Sequence, residues 1–270
     1  MPPIRGAAFR FAVASVILSV LIAWKRLPLP NRRELRDLLV LSVTMMALPY
    51  GLLFWAERSI ASSTTAVLFS SLPLATAALT PWMTGVSVPR RTVLAIVVAF
   101  GALAGVFSGV LRASPQQIPG MLAVLAAVLC GAWASLFAKQ RISGVHPVVG
   151  VGVQFACAAV LLFAVGAVAE RSKPAIWTGP AIWSMCFLVL CGSVIAFSLY
   201  YWLLRHMEAT QLATVQLVVP VIAIAEGALL GKERVPVTVM AAAACILACV
   251  FVVITTDQKE DAFVSIAGAQ

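Results

Sequence analysis

Residues 54–74, FWAERSIASSTTAVLFSSLPL, share a pattern with residues 201–221, YWLLRHMEATQLATVQLVVPV. At a constant offset of 147 and without gaps, the identical pairs are Trp55 with Trp202, Arg58 with Arg205, Ala66 with Ala213 and Pro73 with Pro220. Nearer the start of the chain, at an offset of 144, the pairs are Pro3 with Pro147 and Phe11 with Phe155. Agreement along the whole length predicts that the chain is an internal duplication.

The duplication predicts two copies of one helical unit. We place the first copy over 1–111, the second copy over 118–256 and a cytoplasmic tail over 257–270. The second copy has room for five membrane spans and the first copy for four, because the counterpart of the span 118–138 would precede Met1. We therefore expect a duplicated five-helix unit that lacks its first helix. Five-helix units joined directly lie inverted in the membrane, which is an architecture of secondary carriers.

The composition indicates that this chain is embedded in a lipid bilayer. Of 270 residues, 62% are apolar and 11% are charged, whereas a soluble domain carries about 25% charged residues. Asp, Glu, Lys and Arg are absent from the windows 38–56, 59–89, 92–111, 113–138, 142–169, 174–204 and 235–256. These windows are long enough for helices to cross the hydrocarbon core, and they lack the alternation of β-barrel strands.

We predict an all-α integral membrane protein with about nine transmembrane helices, over 4–24, 36–56, 62–84, 91–111, 118–138, 147–169, 179–203, 210–230 and 236–256. With the 25–36 loop in the cytoplasm, eleven of the 19 Lys and Arg residues lie on that side and seven on the other, and Arg10 lies within a span. This bias predicts a cytoplasmic C-terminus. Basic loop residues also explain the formal charge of +9, so no nucleic-acid partner is expected.

We expect neither a metal nor a cofactor. The six cysteines lie in apolar runs without CxxC spacing, and the chain has only two histidines. Such a set does not provide the usual ligands of a zinc site. No phosphate-binding loop is recognisable in the sequence, so ATP is not expected as an energy source.

Three stretches resemble the EamA-type transporters of the drug/metabolite transporter superfamily: PPIRGAAFRFAVASVIL from residue 2, the segment 54–74, and YYWLLRHMEATQLATVQLVVPVIAIAEGALLGKERV from residue 200. The family's Gly-x-Glu ending matches residues 231–233, whereas the first copy has residues 84–86, Thr-Gly-Val, in its place. The resemblance implies a secondary transporter of the cytoplasmic membrane that moves a small metabolite, amino acid or drug by alternating access. It further implies export. Because no ATP site is recognisable, the energy source would be an ion gradient or the substrate's own gradient.

Charged and amide side chains inside spans are the first candidates for substrate or ion binding, because a charge at the bilayer centre costs roughly 2.5–3.5 kcal/mol. Glu226 is a candidate for proton coupling or for binding an amine, or it reaches interfacial water near the end of its helix. Arg10 is a candidate for binding an anionic substrate or Glu226, or it extends towards the headgroups. Gln154 occupies the position of Arg10 in the second copy.

Aromatic residues and prolines form a second group of candidates. Ser193, Phe197 and Tyr200 share one helical stripe, and the aromatic candidates for a cavity wall are Tyr50, Trp55, Tyr200, Tyr201 and Trp202. Near helix ends such residues also form interfacial belts. Gln216 is a further polar candidate, and Pro73 and Pro220 are candidate hinges at equivalent depths.

Other interpretations stay open. Gly101, Gly105 and Gly109 have small-xxx-small spacing, which favours close helix packing within the monomer or in a homodimer. The chain could instead be a non-transporting membrane subunit or an inactive truncated carrier. A membrane-embedded transferase is a further alternative; its candidate residues are His146 and His206 beside predicted loops, with Arg205 and Glu208 near His206.

Overall fold

A computed structural model of the chain describes residues 2–106, 115–171, 177–219, 221–222 and 237–267, and these ranges contain helices and no strand. The helices are α1 (Pro3–Lys25), α2 (Arg32–Leu41), α3 (Leu48–Ala56), α4 (Ser62–Phe69), α5 (Leu72–Thr84), α6 (Arg90–Val106), α7 (Ile118–Arg141), α8 (Pro147–Ala169), α9 (Gly179–Val189), α10 (Ala196–His206), α11 (Ala209–Thr214) and α12 (Val237–Ala267). Two π-helical segments, Ser42–Ala47 and Leu190–Ile195, join α2 to α3 and α9 to α10. Short 3₁₀ turns are found at Pro115–Gln117 and Val215–Leu217.

Six helices of the described ranges are long and apolar enough to cross a membrane: Pro3–Lys25, Arg32–Ala56, Thr64–Thr84, Pro115–Arg141, Pro147–Ala169 and Gly179–His206. Met240–Thr255 is a shorter apolar helix. The all-helical, multi-pass prediction is therefore confirmed. The count of nine stays a prediction, because the predicted span 210–230 lies partly outside the described residues. The chain after Thr256, predicted as a tail, is helical as far as Ala267.

Local sequence explains where several helices begin and end. Asn31 caps α2 by accepting hydrogen bonds from the backbone nitrogens of Arg33 and Glu34, and the Glu34 side chain accepts one from the backbone nitrogen of Asn31. This reciprocal arrangement is a capping box. α5 ends at Gly85, whose φ of 74° is a left-handed conformation that glycine adopts without strain.

α1 and α8, which occupy equivalent positions in the two predicted copies, pack antiparallel. The Glu170 carboxylate at the end of α8 accepts hydrogen bonds from the backbone nitrogens of Ile4 at 3.1 Å and Arg5 at 2.9 Å, at the start of α1. A carboxylate is favourable there because the helix N-terminus carries partial positive charge. A Cβ added to Gly152 would lie 3.4 Å from the Cβ of Leu18, so glycine permits close approach of the two helices.

Two further pairs of helices are also antiparallel, α6 with α12 and α5 with α11. Ile96 of α6 shares a hydrophobic cluster with Val253 of α12, and Leu103, further along α6, shares another with Ile246. On α5, Leu72 shares a cluster with Ala213, and the Thr80 hydroxyl lies 3.2 Å from that of Thr210 on α11. The two helices of each of these pairs therefore run in opposite directions.

The glycine pattern on α6 does not mark a close contact within the described part of the chain. A Cβ at Gly101 or Gly105 would meet nothing within 4 Å, and Gly109 lies outside the described residues. Packing of these glycines within the monomer therefore finds no support. The homodimer stays a prediction.

Gly120 gives a test of the packing between α7 and the end of α3. An added Cβ would lie 2.6 Å from Ser59 Oγ and 3.2 Å from the Ala56 carbonyl oxygen. We expect Gly120→Ala to destabilise the protein by about 1–3 kcal/mol, because the crowded helices must separate. The measurement is the melting temperature of the purified protein in one detergent. Gly51→Ala on α3 is the control, since its Cβ would meet nothing within 4 Å; equal melting temperatures for the two variants would contradict this packing.

Candidate functional site

Arg10 carries a positive charge inside the predicted membrane span of α1. It is the eighth residue of that helix, which places it about 10 Å along the axis at 1.5 Å per residue. Its Nε donates a hydrogen bond to Ser193 Oγ at 2.5 Å, and its Nη2 donates one to the Gly192 carbonyl oxygen at 2.7 Å. Both acceptors are neutral, so these bonds hold the guanidinium without cancelling its charge.

The π-helical segment Leu190–Ile195 supplies these acceptors. Ser193 Oγ donates its own hydrogen to the Leu188 carbonyl at 3.1 Å, which leaves its lone pairs free for Arg10. A π-helical segment shifts the backbone hydrogen-bond register, and such segments are frequent at functional sites. Gly192 has no side chain, so Arg10 can approach its carbonyl closely; an added Cβ would lie 3.4 Å from Nη2.

Four aromatic rings form a layer beside Arg10. Phe11 stacks on Phe155 with the ring centroids 4.7 Å apart and meets Tyr50 edge-on at 5.1 Å. Phe155 in turn meets Phe197 at 5.2 Å. The Arg10 guanidinium carbon lies 5.6 Å from the Phe11 ring centroid and 6.0 Å from that of Tyr50, within the range of a cation–π interaction.

Gln154 is fully buried and only partly satisfied. The Tyr201 hydroxyl lies 2.8 Å from Gln154 Oε1 and 3.0 Å from Met45 Sδ, but its single hydrogen can be donated to only one of them. Gln154 Nε2 has no hydrogen-bond partner in the structure. If the amide is flipped, Oε1 becomes the atom without a partner. Either orientation leaves a buried polar atom that a ligand or a water molecule could satisfy.

Tyr200 lies beside this pair and contacts a different helix. Its hydroxyl donates to Ser135 Oγ on α7 at 2.8 Å, and Ser135 donates to the Gly131 carbonyl at 2.7 Å. The rings of Tyr200 and Tyr201 meet edge to face at 5.5 Å. The two tyrosines thus link α10 to both α7 and α8.

The structure joins five of the predicted site residues in one polar and aromatic region, namely Arg10, Tyr50, Gln154, Tyr200 and Tyr201. Trp55 and Trp202 are 48% and 50% exposed, as expected for residues that face lipid or its interface. Gln216 is half-buried in a 3₁₀ turn, and Pro73 is buried at the start of α5. Pro220 and Glu226 lie outside the described residues.

Sequence reasoning missed Met45, Ser135 and Gly192 as site residues. Met45 and Ser135 are small or apolar residues in charge-free runs, and nothing in their local pattern distinguishes them. Gly192 accepts from Arg10 only because the backbone is π-helical there. Ser193 was detectable, since it shares a helical stripe with Phe197 and Tyr200.

Near the C-terminal end of α10, side chains connect this part of the chain to the end of α7 and to the loop that follows α7. Arg205 donates to the carbonyl oxygens of Ser143 at 2.7 Å and Val145 at 2.8 Å. Lys139 Nζ lies 3.5 Å from the Glu208 carboxylate, an exposed pair that contributes little stability. These contacts give the loop residues a packing role.

His206, on which a transferase would rely, makes local contacts. Its Nδ1 lies 2.7 Å from the Trp202 carbonyl oxygen one turn earlier, and its ring packs against the Trp202 ring. Among the described residues, no group of three His, Cys, Asp or Glu side chains is placed to hold a metal ion. Nothing in these contacts favours the transferase interpretation.

Helices of membrane-spanning length that surround a charged and aromatic-lined centre are features of a membrane transport protein. The chain matches the model of the EamA-like transporter family over residues 1–108 and 118–255, and it belongs to that family. The resemblance drawn from the sequence is thereby confirmed, and the chain is a membrane transporter by family.

Curated relatives are similar along most of the chain. The "Uncharacterized transporter YoaV" of Bacillus subtilis (strain 168) is 23% identical over 254 residues, which cover 93% of this chain and 87% of that protein. The "Uncharacterized inner membrane transporter YedA" of Escherichia coli (strain K12) is 24% identical, covering 86% of this chain and 75% of that protein. A protein with a solved crystal structure superposes with a TM-score of 0.79 at 17% identity, covering 93% of this chain and 87% of that one, so the two share a fold.

The buried pair of Tyr201 and Gln154 gives a test of the site's internal structure. We expect Tyr201→Phe to destabilise the protein by about 1–3 kcal/mol, because it leaves the Gln154 amide without its partner. Gln154→Leu combined with Tyr201→Phe should cost less than the sum of the two single changes. The measurement is a double-mutant cycle of unfolding free energies in one detergent, with Trp202→Phe as the half-exposed control. Strict additivity would contradict the contact.

Proposed function

We propose that the chain is a secondary transporter that binds a small polar organic molecule between its two halves and releases it by alternating access. The observation that carries the proposal is the Arg10 charge, held inside a membrane span by Ser193 and Gly192 and flanked by aromatic rings. Charged groups inside spans are costly, and in membrane proteins they mark substrate or ion paths. Arg10 lies on α1 of the first copy, whereas its partners lie on the second copy.

The inverted duplication supports this mechanism. Equivalent helices run antiparallel in the pairs α1 with α8 and α6 with α12, and α5 of the first copy runs antiparallel to α11 of the second. The two π-helical segments, Ser42–Ala47 and Leu190–Ile195, lie at nearly equivalent places in the two copies. The family model also matches the chain in two separate segments. We infer inverted repeats over 1–111 and 118–256 and a total of about nine transmembrane helices.

The helix breaks are suited to act as hinges. α4 ends at Phe69 and α5 begins at Leu72, directly before Pro73, so that the helix axis is interrupted within the predicted span 62–84. Proline removes one backbone hydrogen bond and favours such a break. We propose Pro73 and its counterpart Pro220 as the hinges. Gln140 Nε2 on α7 donates a hydrogen bond to the Met83 carbonyl oxygen on α5 at 2.7 Å. Movement of α5 away from α7 about this hinge would break that hydrogen bond.

We further propose an exporter in the cytoplasmic membrane with its C-terminus in the cytoplasm. The name of the relative YedA places that protein in an inner membrane, and the excess of Lys and Arg on one side favours this orientation. An ion gradient, with Glu226 as the proton-binding residue, would supply the energy. A transport assay distinguishes this proposal from the two alternatives, an inactive truncated carrier and a non-transporting membrane subunit.

The direct test is counterflow in proteoliposomes. Purified protein is first screened for amino acids, organic acids, nucleosides, sugars and cationic drugs that raise its melting temperature, since a ligand that binds only the folded state stabilises it. We expect a stabilising solute to exchange across the membrane. Tyr50→Ala should weaken its binding by about tenfold through the lost aromatic contact. Val160→Ala, at a position 70% exposed on α8, is the control. A solute that binds without exchanging would favour a non-transporting role.

Coupling is tested separately from exchange. We expect an imposed pH gradient to drive accumulation of the solute by the unaltered protein, because Glu226 would carry the proton. Glu226→Gln should abolish this accumulation and leave counterflow intact, since exchange requires no net proton movement. Glu57→Gln, an exposed carboxylate outside the spans, is the matched control. Accumulation that persists in Glu226→Gln would remove Glu226 from the coupling mechanism.

A further inference from the structure

We propose that Arg10 binds the carboxylate of a small organic acid, a monoanion whose apolar part lies against the aromatic layer. This inference rests on the proposed transport function and assigns a chemical class to its substrate. Arg10 has five N–H donors, and two of them are used by Ser193 and Gly192. The remaining donors are available for a ligand with two acceptor oxygens, and a carboxylate fits such a fork.

The local charge balance favours a single negative charge. In the described part of the chain, the ion pairs within 4 Å are Arg36 with Asp37 and Lys139 with Glu208, and neither includes Arg10. A monoanion would neutralise this cation, whereas a phosphate dianion would leave one buried charge uncompensated. An amino acid would also bring an ammonium group, and burying that second charge is costly unless it finds a partner of its own.

The surroundings of Arg10 indicate what the rest of the molecule should be. Phe11 and Phe155 are fully buried against each other, whereas Tyr50 and Phe197, which meet them edge-on, are only partly buried and present aromatic surface to a ligand. An aliphatic or aromatic body can bury its apolar surface there while its carboxylate meets the charge. Gln154 Nε2 has no partner, and Ser198 Oγ, next to Phe197 in the sequence of α10, is likewise buried without one. A further polar group on the substrate could be satisfied by these atoms.

The experiment compares matched ligands on the purified full-length protein. The panel is a series of monocarboxylates from propionate to 3-phenylpropionate, each with its neutral amide, together with phenylalanine as the zwitterion and phenylphosphonate as the dianion. Ligand-dependent shifts of the melting temperature give an affinity for each. We expect the acids to bind at least about tenfold more tightly than their amides, since a hydrogen bond between two charged groups is roughly twice as strong as one between neutral groups.

Variants then assign the preference to Arg10. Arg10→Gln should bind an acid and its amide equally, and Arg10→Lys should keep a weaker preference for the acid because it retains the charge without the fork. Arg58→Gln, an exposed arginine outside the spans, is the control and should behave as the unaltered protein. If Arg10→Gln does not fold, Arg10→Lys decides: its ratio of acid to amide affinity must fall.

Several results would overturn the inference. They are equal binding of acids and amides, tighter binding of phenylalanine or phenylphosphonate than of 3-phenylpropionate, no stabilisation by any acid, and an unchanged affinity ratio in Arg10→Lys. Transport of a neutral or cationic solute, with no acid bound, would also overturn it and would leave the transport function standing. Acid binding at Arg10 without any exchange in proteoliposomes would keep the inference and remove the transport function.

Discussion

A bilayer does not solvate polar groups, so every charge and amide placed inside it must find a partner within the protein. Arg10 meets this requirement across the boundary between the two predicted copies, through Ser193 and the Gly192 carbonyl. Gln154 meets it in part, through the Tyr201 hydroxyl. These bonds join α1 to the π-helical segment Leu190–Ile195 and α8 to α10. The arrangement of the proposed transport site therefore follows from the cost of leaving such groups unpaired in lipid.

The helix irregularities make this arrangement feasible. In a regular α-helix the backbone carbonyl oxygens accept hydrogen bonds from the same helix. In the π-helical segment Leu190–Ile195, the Gly192 carbonyl oxygen accepts a hydrogen bond from Arg10. Ser193, within the same segment, binds both Arg10 and the Leu188 carbonyl. The break before Pro73 interrupts the predicted span 62–84 of the first copy near its middle. Local departures from ideal helix geometry thus occur where binding and movement are proposed.

Much of the fold could be predicted from the sequence, because a charge-free window bounded by charges defines a helix by length alone. The predicted spans 4–24 and 147–169 correspond to Pro3–Lys25 and Pro147–Ala169. The π-helical segments carry no comparable signal, since their residues are ordinary apolar ones. The contact of Tyr201 with Gln154 was also unpredictable, because it depends on how distant helices pack. Arg10 was identifiable in advance, as a charge within a span, although its partners were not.

If the protein works by alternating access, water reaches the region around Arg10 and Tyr50 from each side of the membrane in turn. Labelling of Tyr50→Cys with a membrane-impermeant thiol reagent tests it, in a variant whose six native cysteines are replaced. Reagent is applied to right-side-out and to inverted vesicles, and Val160→Cys serves as the lipid-facing control. We expect that Tyr50→Cys reacts from both sides, that a bound solute slows both reactions, and that Val160→Cys does not react. Failure of Tyr50→Cys to react from either side would contradict it.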